Sequence, residues 1–124
     1  MKIFVWILQI VSALILLQTL FFKFSAAEES VYIFSTIGME PWGRIGVGIS
    51  ELITGILLLT KKFAWFGALM AAGIMAGAIF FHITILGIEV KGDGGYLFGL
   101  ACFVFVASFG ILWMRKETIP FLSR

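Results

Sequence analysis

The stretch GRIGVGISELITGILLL, residues 43–59, places two full charges in a run that is otherwise apolar or small. Its length lies within the roughly 17–25 residues of a transmembrane helix. Arg44 and Glu51 are seven positions apart, about two helical turns, so a helix would place both on one face. Ionisable groups at membrane depth are costly, and they normally face inward, pair with each other and mark a functional site. The stretch therefore predicts a membrane helix with one polar, inward-facing side.

Three further apolar runs, at residues 3–22, 64–86 and 96–114, have similar lengths. The chain is 61% hydrophobic and 13% charged, whereas a soluble domain carries about 25% charged residues. None of the runs alternates in the way that a transmembrane β-barrel requires. We therefore predict an all-α protein, an antiparallel bundle of four transmembrane helices that forms a single domain over residues 1–124.

The connection between the first two runs is long enough for a short helix. Its apolar residues cluster on one side, at Val31, Ile33, Phe34 and Ile37. Ser30 is a residue type that caps helix starts, and Gly38 suits the left-handed position that closes a helix. We expect an amphipathic helix that lies on the outer membrane surface as a lid.

The distribution of basic residues predicts the orientation. With the N-terminus inside, six of the nine Lys and Arg residues lie on the inner side, which follows the positive-inside rule. We therefore expect cytoplasmic N- and C-termini in an inner or plasma membrane. A cleaved signal peptide ending near Ser25-Ala26-Ala27 is a rival interpretation of the first run. That run has about 20 apolar residues, longer than the 7–15 of a signal core, so we favour a retained span.

Six polar residues converge on the outer half of the predicted bundle. With a rise of about 1.5 Å per residue, Glu51 lies roughly 12 Å and His82 about 7 Å below the outer ends of their helices. The predicted outward-opening polar pocket is formed by Gln18, Lys23, Arg44, Glu51, His82 and Tyr96. Arg44 can pair with Glu51, and His82 can complete an Arg–Glu–His network. A purely structural salt bridge that joins the second helix to the third is an equally open interpretation.

Several site classes lack the residues that they require. One histidine and one glutamate on separate helices do not supply the three or four ligands of a zinc or di-iron site, so we predict no metal. Cys102 is the only cysteine, which excludes an intrachain disulfide, and we interpret it as a packing residue. No basic stripe or phosphate-binding motif predicts binding to nucleic acid or nucleotide.

The run at residues 43–59, followed by a short basic turn and by MAGAIFFH at residues 75–82, resembles the DoxX and DoxX-like membrane proteins. The resemblance covers roughly residues 15–105. It implies a four-helix membrane fold, with Glu51 and His82 at the family's recurring polar positions and Arg44 nearby. The family's name comes from a small subunit linked to quinone-dependent sulfur oxidation. Some members associate with redox-defence proteins, and distant animal relatives look like receptor assembly factors.

Three functions remain open from the sequence. The first is an accessory subunit that docks a membrane or redox protein partner, with a pocket that is structural or holds a ligand. The second is a redox-linked component that binds a quinone or a similar lipophilic molecule beside Glu51 and His82. The third is a small-solute carrier, which would have to form a homo-oligomer because no inverted repeat is visible. We expect no independent catalytic activity and assign no catalytic residue.

Overall fold

The structure, a computed structural model, describes residues 2–89, 92 and 94–119, and all regular secondary structure in these ranges is helical. The five α-helices are α1 (Lys2–Phe24), α2 (Glu28–Thr36), α3 (Trp42–Leu58), α4 (Ala64–Phe81) and α5 (Tyr96–Met114). A π-helical turn, His82–Leu86, continues α4, and a 3₁₀ turn, Lys116–Thr118, follows α5. The all-α prediction is confirmed, and when the π-helical turn is counted with α4 the helix ends lie within two residues of the predicted apolar runs.

Three helices are long and apolar enough to cross a membrane: Ile3–Phe24, Ala64–Leu86 and Tyr96–Met114. This makes the chain compatible with an integral membrane protein. The 17-residue helix α3 is shorter than these three.

The four longer helices pack in the order α1, α3, α4, α5 and back to α1. Fully buried apolar side chains fill the half of the molecule far from α2, including Leu58, Val104 and Ile111. Here α3 and α4 approach closely at Gly67, where an added Cβ would lie 2.9 Å from Leu57 Cβ and 3.0 Å from the Leu58 backbone nitrogen. Small residues on α4 thus permit tight helix contact at the end opposite α2.

Helix α3 is apolar outside and polar inside. Its exposed large side chains, with 39% to 56% of their surface accessible, are Ile45, Ile49, Leu52, Ile53 and Ile56. The polar residues Arg44, Glu51 and Thr54 are buried on the opposite side. Exposed aliphatic and buried charged residues are the reverse of the pattern in soluble helices, and they are typical of a surface that faces lipid.

The short helix predicted before Trp42 is present as α2, but its start differs from the prediction. It begins at Glu28, so Ser30 lies inside the helix and is buried instead of capping it. Glu28 and Glu29 occupy the first turn, where negative charge is favourable to the helix dipole. Gly38 has a φ of +77°, the left-handed conformation that was expected beyond the helix end.

Candidate functional site

A cavity of about 680 Å³ lies in the half of the molecule that contains α2. This volume is within the roughly 300–1,000 Å³ of small-molecule sites. All five helices contribute to its wall, which is mainly apolar. Five of the six predicted pocket residues line it: Gln18, Lys23, Glu51, His82 and Tyr96.

An ion pair between α1 and α3 is the main polar feature of the cavity wall. Lys23 Nζ lies 3.1 Å from Glu51 Oε1 and donates a hydrogen bond to Oε2 at 3.4 Å. The two side chains are only 15% and 3% exposed. Thr19 Oγ1 also lies 3.2 Å from Oε2 and 2.9 Å from the Leu16 carbonyl oxygen. Because a threonine hydroxyl has one proton, these two acceptors compete for it.

Glu51 retains unused hydrogen-bonding capacity. Its Oε1 is in ion-pair contact with Lys23, yet it accepts no directional hydrogen bond within the described part of the chain. A buried carboxylate oxygen in this state is a favourable position for a ligand donor, because unsatisfied buried polar atoms are costly.

Arg44 does not pair with Glu51, so the predicted contact is corrected. Its Nε donates to both carboxylate oxygens of Glu40, at 2.9 and 3.0 Å, and its Nη1 donates to the Lys23 backbone oxygen at 2.6 Å. Along the helix axis Arg44 and Glu51 are separated by about 10.5 Å, whereas Glu40 is only about one turn from Arg44. Arg44 thus joins the C-terminal end of α1 to the first turn of α3, and it does not line the cavity.

His82 lies at the start of the π-helical turn, a geometry that is frequent at functional sites. Its Nδ1 is 2.9 Å from the Gly87 carbonyl oxygen. Because a carbonyl only accepts, Nδ1 carries a proton, and in the neutral ring Nε2 is the acceptor. The ring also makes an edge contact with Phe98. No hydrogen bond or ion pair joins His82 to Arg44 or Glu51 among the described residues, so the predicted three-residue network is not formed.

Gln18 and Tyr96 line the cavity from solvent- or lipid-accessible positions. Gln18 is exposed on α1, and Tyr96 is exposed at the first residue of α5. They contribute to the rim of the cavity, while Lys23, Glu51 and His82 belong to its less accessible part.

A second polar cluster, which the sequence interpretation missed, lies at the opposite end of the molecule. Gln9 Nε2 donates to the backbone oxygens of Leu58 at 2.8 Å and Thr60 at 3.1 Å. Arg115 Nε donates to Gln9 Oε1 at 2.8 Å, and its guanidinium lies over the Trp6 ring. The sequence offers one signal for this cluster. Trp6 and Gln9 are three residues apart and so share a face of α1, and Arg115 directly follows α5. This cluster joins α1 to the ends of α3 and α5.

Within the ranges that the structure describes, no three His, Cys, Asp or Glu side chains are grouped so that they could hold a metal ion. Cys102 is half-buried in α5. A comparison of the chain with protein-family models, curated proteins and solved structures finds no match.

Proposed function

We propose that the chain is a four-span membrane protein of the DoxX-like type, and that it acts as an accessory subunit holding a small amphiphilic molecule. The observation that carries this proposal is the cavity of about 680 Å³, which joins apolar walls to the Lys23–Glu51 ion pair. A molecule with an apolar body and a polar end matches both features.

The proposal requires α3 to be the fourth span. Its outward aliphatic face supports this, as does its packing between α1 and α4, the neighbours that flank it. A 17-residue helix is at the lower limit of transmembrane length. Trp42, exposed at its first residue, suits the membrane–water interface.

Holding a ligand fits the cavity better than independent catalysis. Lys23 and Glu51 neutralise each other, and the Nδ1 proton of His82 is directed to a backbone carbonyl. In the proposed orientation the cavity opens to the outer side, because the exposed Lys61 and Lys62 connect α3 to α4 at the inner side. A partner protein would then contact the lipid-facing helix surfaces.

A redox-linked, quinone-binding component is the second candidate. The observation that favours it is that Glu51 and His82 both line one cavity, so that two groups able to carry protons would adjoin one bound molecule. A neutral His82 with its proton on Nδ1 offers Nε2 as an acceptor, which suits the hydroxyl of a reduced quinone.

Native mass spectrometry of the protein purified in a mild detergent tests the main proposal. Gly77→Leu adds bulk where an added Cβ meets no atom within 4 Å and where the residue lines the cavity. Gly99→Leu is the matched control, because Gly99 also has open space but lies outside the lining.

The expected result is a small-molecule adduct on the wild type and on Gly99→Leu that is lost from Gly77→Leu. Absence of an adduct from the wild type, or equal adducts on all three proteins, would contradict the proposal. An adduct identified as a quinone would favour the redox candidate.

A further inference from the structure

The Lys23–Glu51 pair has hydrogen-bond donors on Lys23 and an acceptor on Glu51 to spare. An ammonium has three donors, and among the described residues the Lys23 ammonium contacts only the two oxygens of the Glu51 carboxylate. Glu51 Oε1 accepts no directional hydrogen bond in this part of the chain. A ligand group that both accepts and donates would match the two atoms at once.

The charge of the pair restricts the ligand further. Lys23 and Glu51 sum to zero, so a charged ligand head would be left without a counter-charge at this position. Burying an uncompensated charge costs far more than burying a neutral polar group. Glu29 also lines the cavity, but it is half-buried in the first turn of α2, where the helix dipole already stabilises a carboxylate.

The apolar wall has open space along α4 in which the apolar part of a ligand can lie. Gly73 and Gly77 of α4 line the cavity one helical turn apart, and a Cβ added at either would meet no atom within 4 Å. The glycines at this end of α4 therefore leave a gap, in contrast to Gly67, which packs against α3. Aliphatic residues on three different helices, Ile15, Ile74 and Leu100, line the cavity together with the aromatic residues Phe22, Phe34 and Phe81.

We infer that the cavity takes an uncharged, single-chain amphiphile whose head both donates and accepts hydrogen bonds, an alcohol or a primary amide. The head lies against Lys23 and Glu51, and the chain lies along the Gly73 and Gly77 face of α4. This inference rests on the proposed ligand-holding function and specifies the chemical class of the ligand.

A series of twelve-carbon probes tests the head group while the chain stays constant. Binding to the purified full-length protein is measured for dodecan-1-ol, dodecanamide, methyl dodecanoate, dodecanoate and dodecylammonium. The ester accepts but cannot donate, and the last two probes carry opposite charges. We expect the alcohol and the amide to bind at least tenfold more tightly than the other three.

The double substitution Lys23→Met with Glu51→Leu separates recognition from folding. It replaces both polar partners by apolar side chains. The variant protein should therefore still bind the probes, but it should no longer prefer the alcohol over the ester. The Gly77→Leu substitution should abolish binding of every probe, and the Gly99→Leu control should bind them as the wild type does.

Two results would overturn the inference. One is an ester or an ion that binds the wild type as tightly as the alcohol, and the other is a preference for the alcohol that survives in the double variant. Neither result contradicts the proposed ligand-holding function if the natural adduct is still lost from the Gly77→Leu variant. A natural adduct together with no binding of any probe also overturns the head-group assignment alone. Absence of both adduct and probe binding contradicts the proposed function itself.

Discussion

Lys23 Nζ lies 3.1 Å from Glu51 Oε1, which joins the last turn of α1 to the middle of α3. The two side chains are only 15% and 3% exposed, and both line the cavity of about 680 Å³. Arg44 lies outside the cavity lining and supports the pair, because its Nη1 donates a hydrogen bond to the backbone oxygen of Lys23. The charged residues thus form two groups. Lys23 and Glu51 face the cavity, and Arg44 with Glu40 holds the backbone of α1 at Lys23.

Removing one partner of the cavity pair should destabilise the protein more than removing both. Lys23→Met or Glu51→Leu alone leaves a buried charge unpaired, which costs about 3–5 kcal/mol. The double variant should recover at least half of that loss. The free energy of unfolding is measured in one detergent for the wild type, the two single variants and the double variant. A loss in the double variant equal to the sum of the two single losses would contradict a direct pair.

Replacing Arg44 by lysine should also reduce stability, although the charge is kept. An ammonium cannot reproduce the guanidinium geometry that reaches both Glu40 and the Lys23 carbonyl. We expect a loss of about 1–3 kcal/mol in the free energy of unfolding. Lys61→Arg, at an exposed loop position, is the control and should change stability by less than about 0.5 kcal/mol. Equal stability of the Arg44 variant and the control would show that the contacts of Arg44 contribute nothing.

The helix limits were predictable, whereas the charge partners were not. Hydropathy alone marks the apolar runs, because membrane-length helices need nearly continuous apolar sequence. The choice of Lys23 over Arg44 as partner of Glu51 depends on how α1 packs against α3. Two residues that share a helical face can still be too far apart along the axis, about 10.5 Å for a spacing of seven.

The cluster at Gln9 was missed for a related reason. Gln9 lies within the first apolar run, but its acceptors are the backbone oxygens of Leu58 and Thr60, which carry no sequence signal. In the sequence, Arg115 indicates only a basic residue just beyond the last apolar run. Its burial against Trp6 follows from tertiary packing.

Replacing Gln9 by leucine should be strongly destabilising. The change leaves Arg115 Nε and the Leu58 carbonyl without their partners, and each buried unsatisfied group costs about 1–3 kcal/mol. Gln18→Leu on the same helix is the control, since Gln18 is exposed. Thermal unfolding in detergent should separate the two variants clearly, and matching transition temperatures would contradict the structural role of Gln9.

Two glycines of α4 should respond in opposite directions to substitution by alanine. At Gly67 the new methyl group would collide with Leu57 and with the Leu58 backbone, which should cost about 1–3 kcal/mol. At Gly73 the space is open, and alanine in a helix interior should stabilise by roughly 0.5–1 kcal/mol. Unfolding measurements on both variants check the sign of each effect. A loss at Gly73 as large as that at Gly67 would mean that α4 is packed along its whole length.

The proposed four-span arrangement requires that α3 crosses the membrane, and thiol labelling from the two sides tests this most directly. In a Cys102→Ser background, Thr36→Cys marks the exposed end of α2 and Lys61→Cys marks the loop after α3. A membrane-impermeant maleimide should label position 36 in intact cells and position 61 only after permeabilisation. Labelling of both positions from the same side would contradict the account.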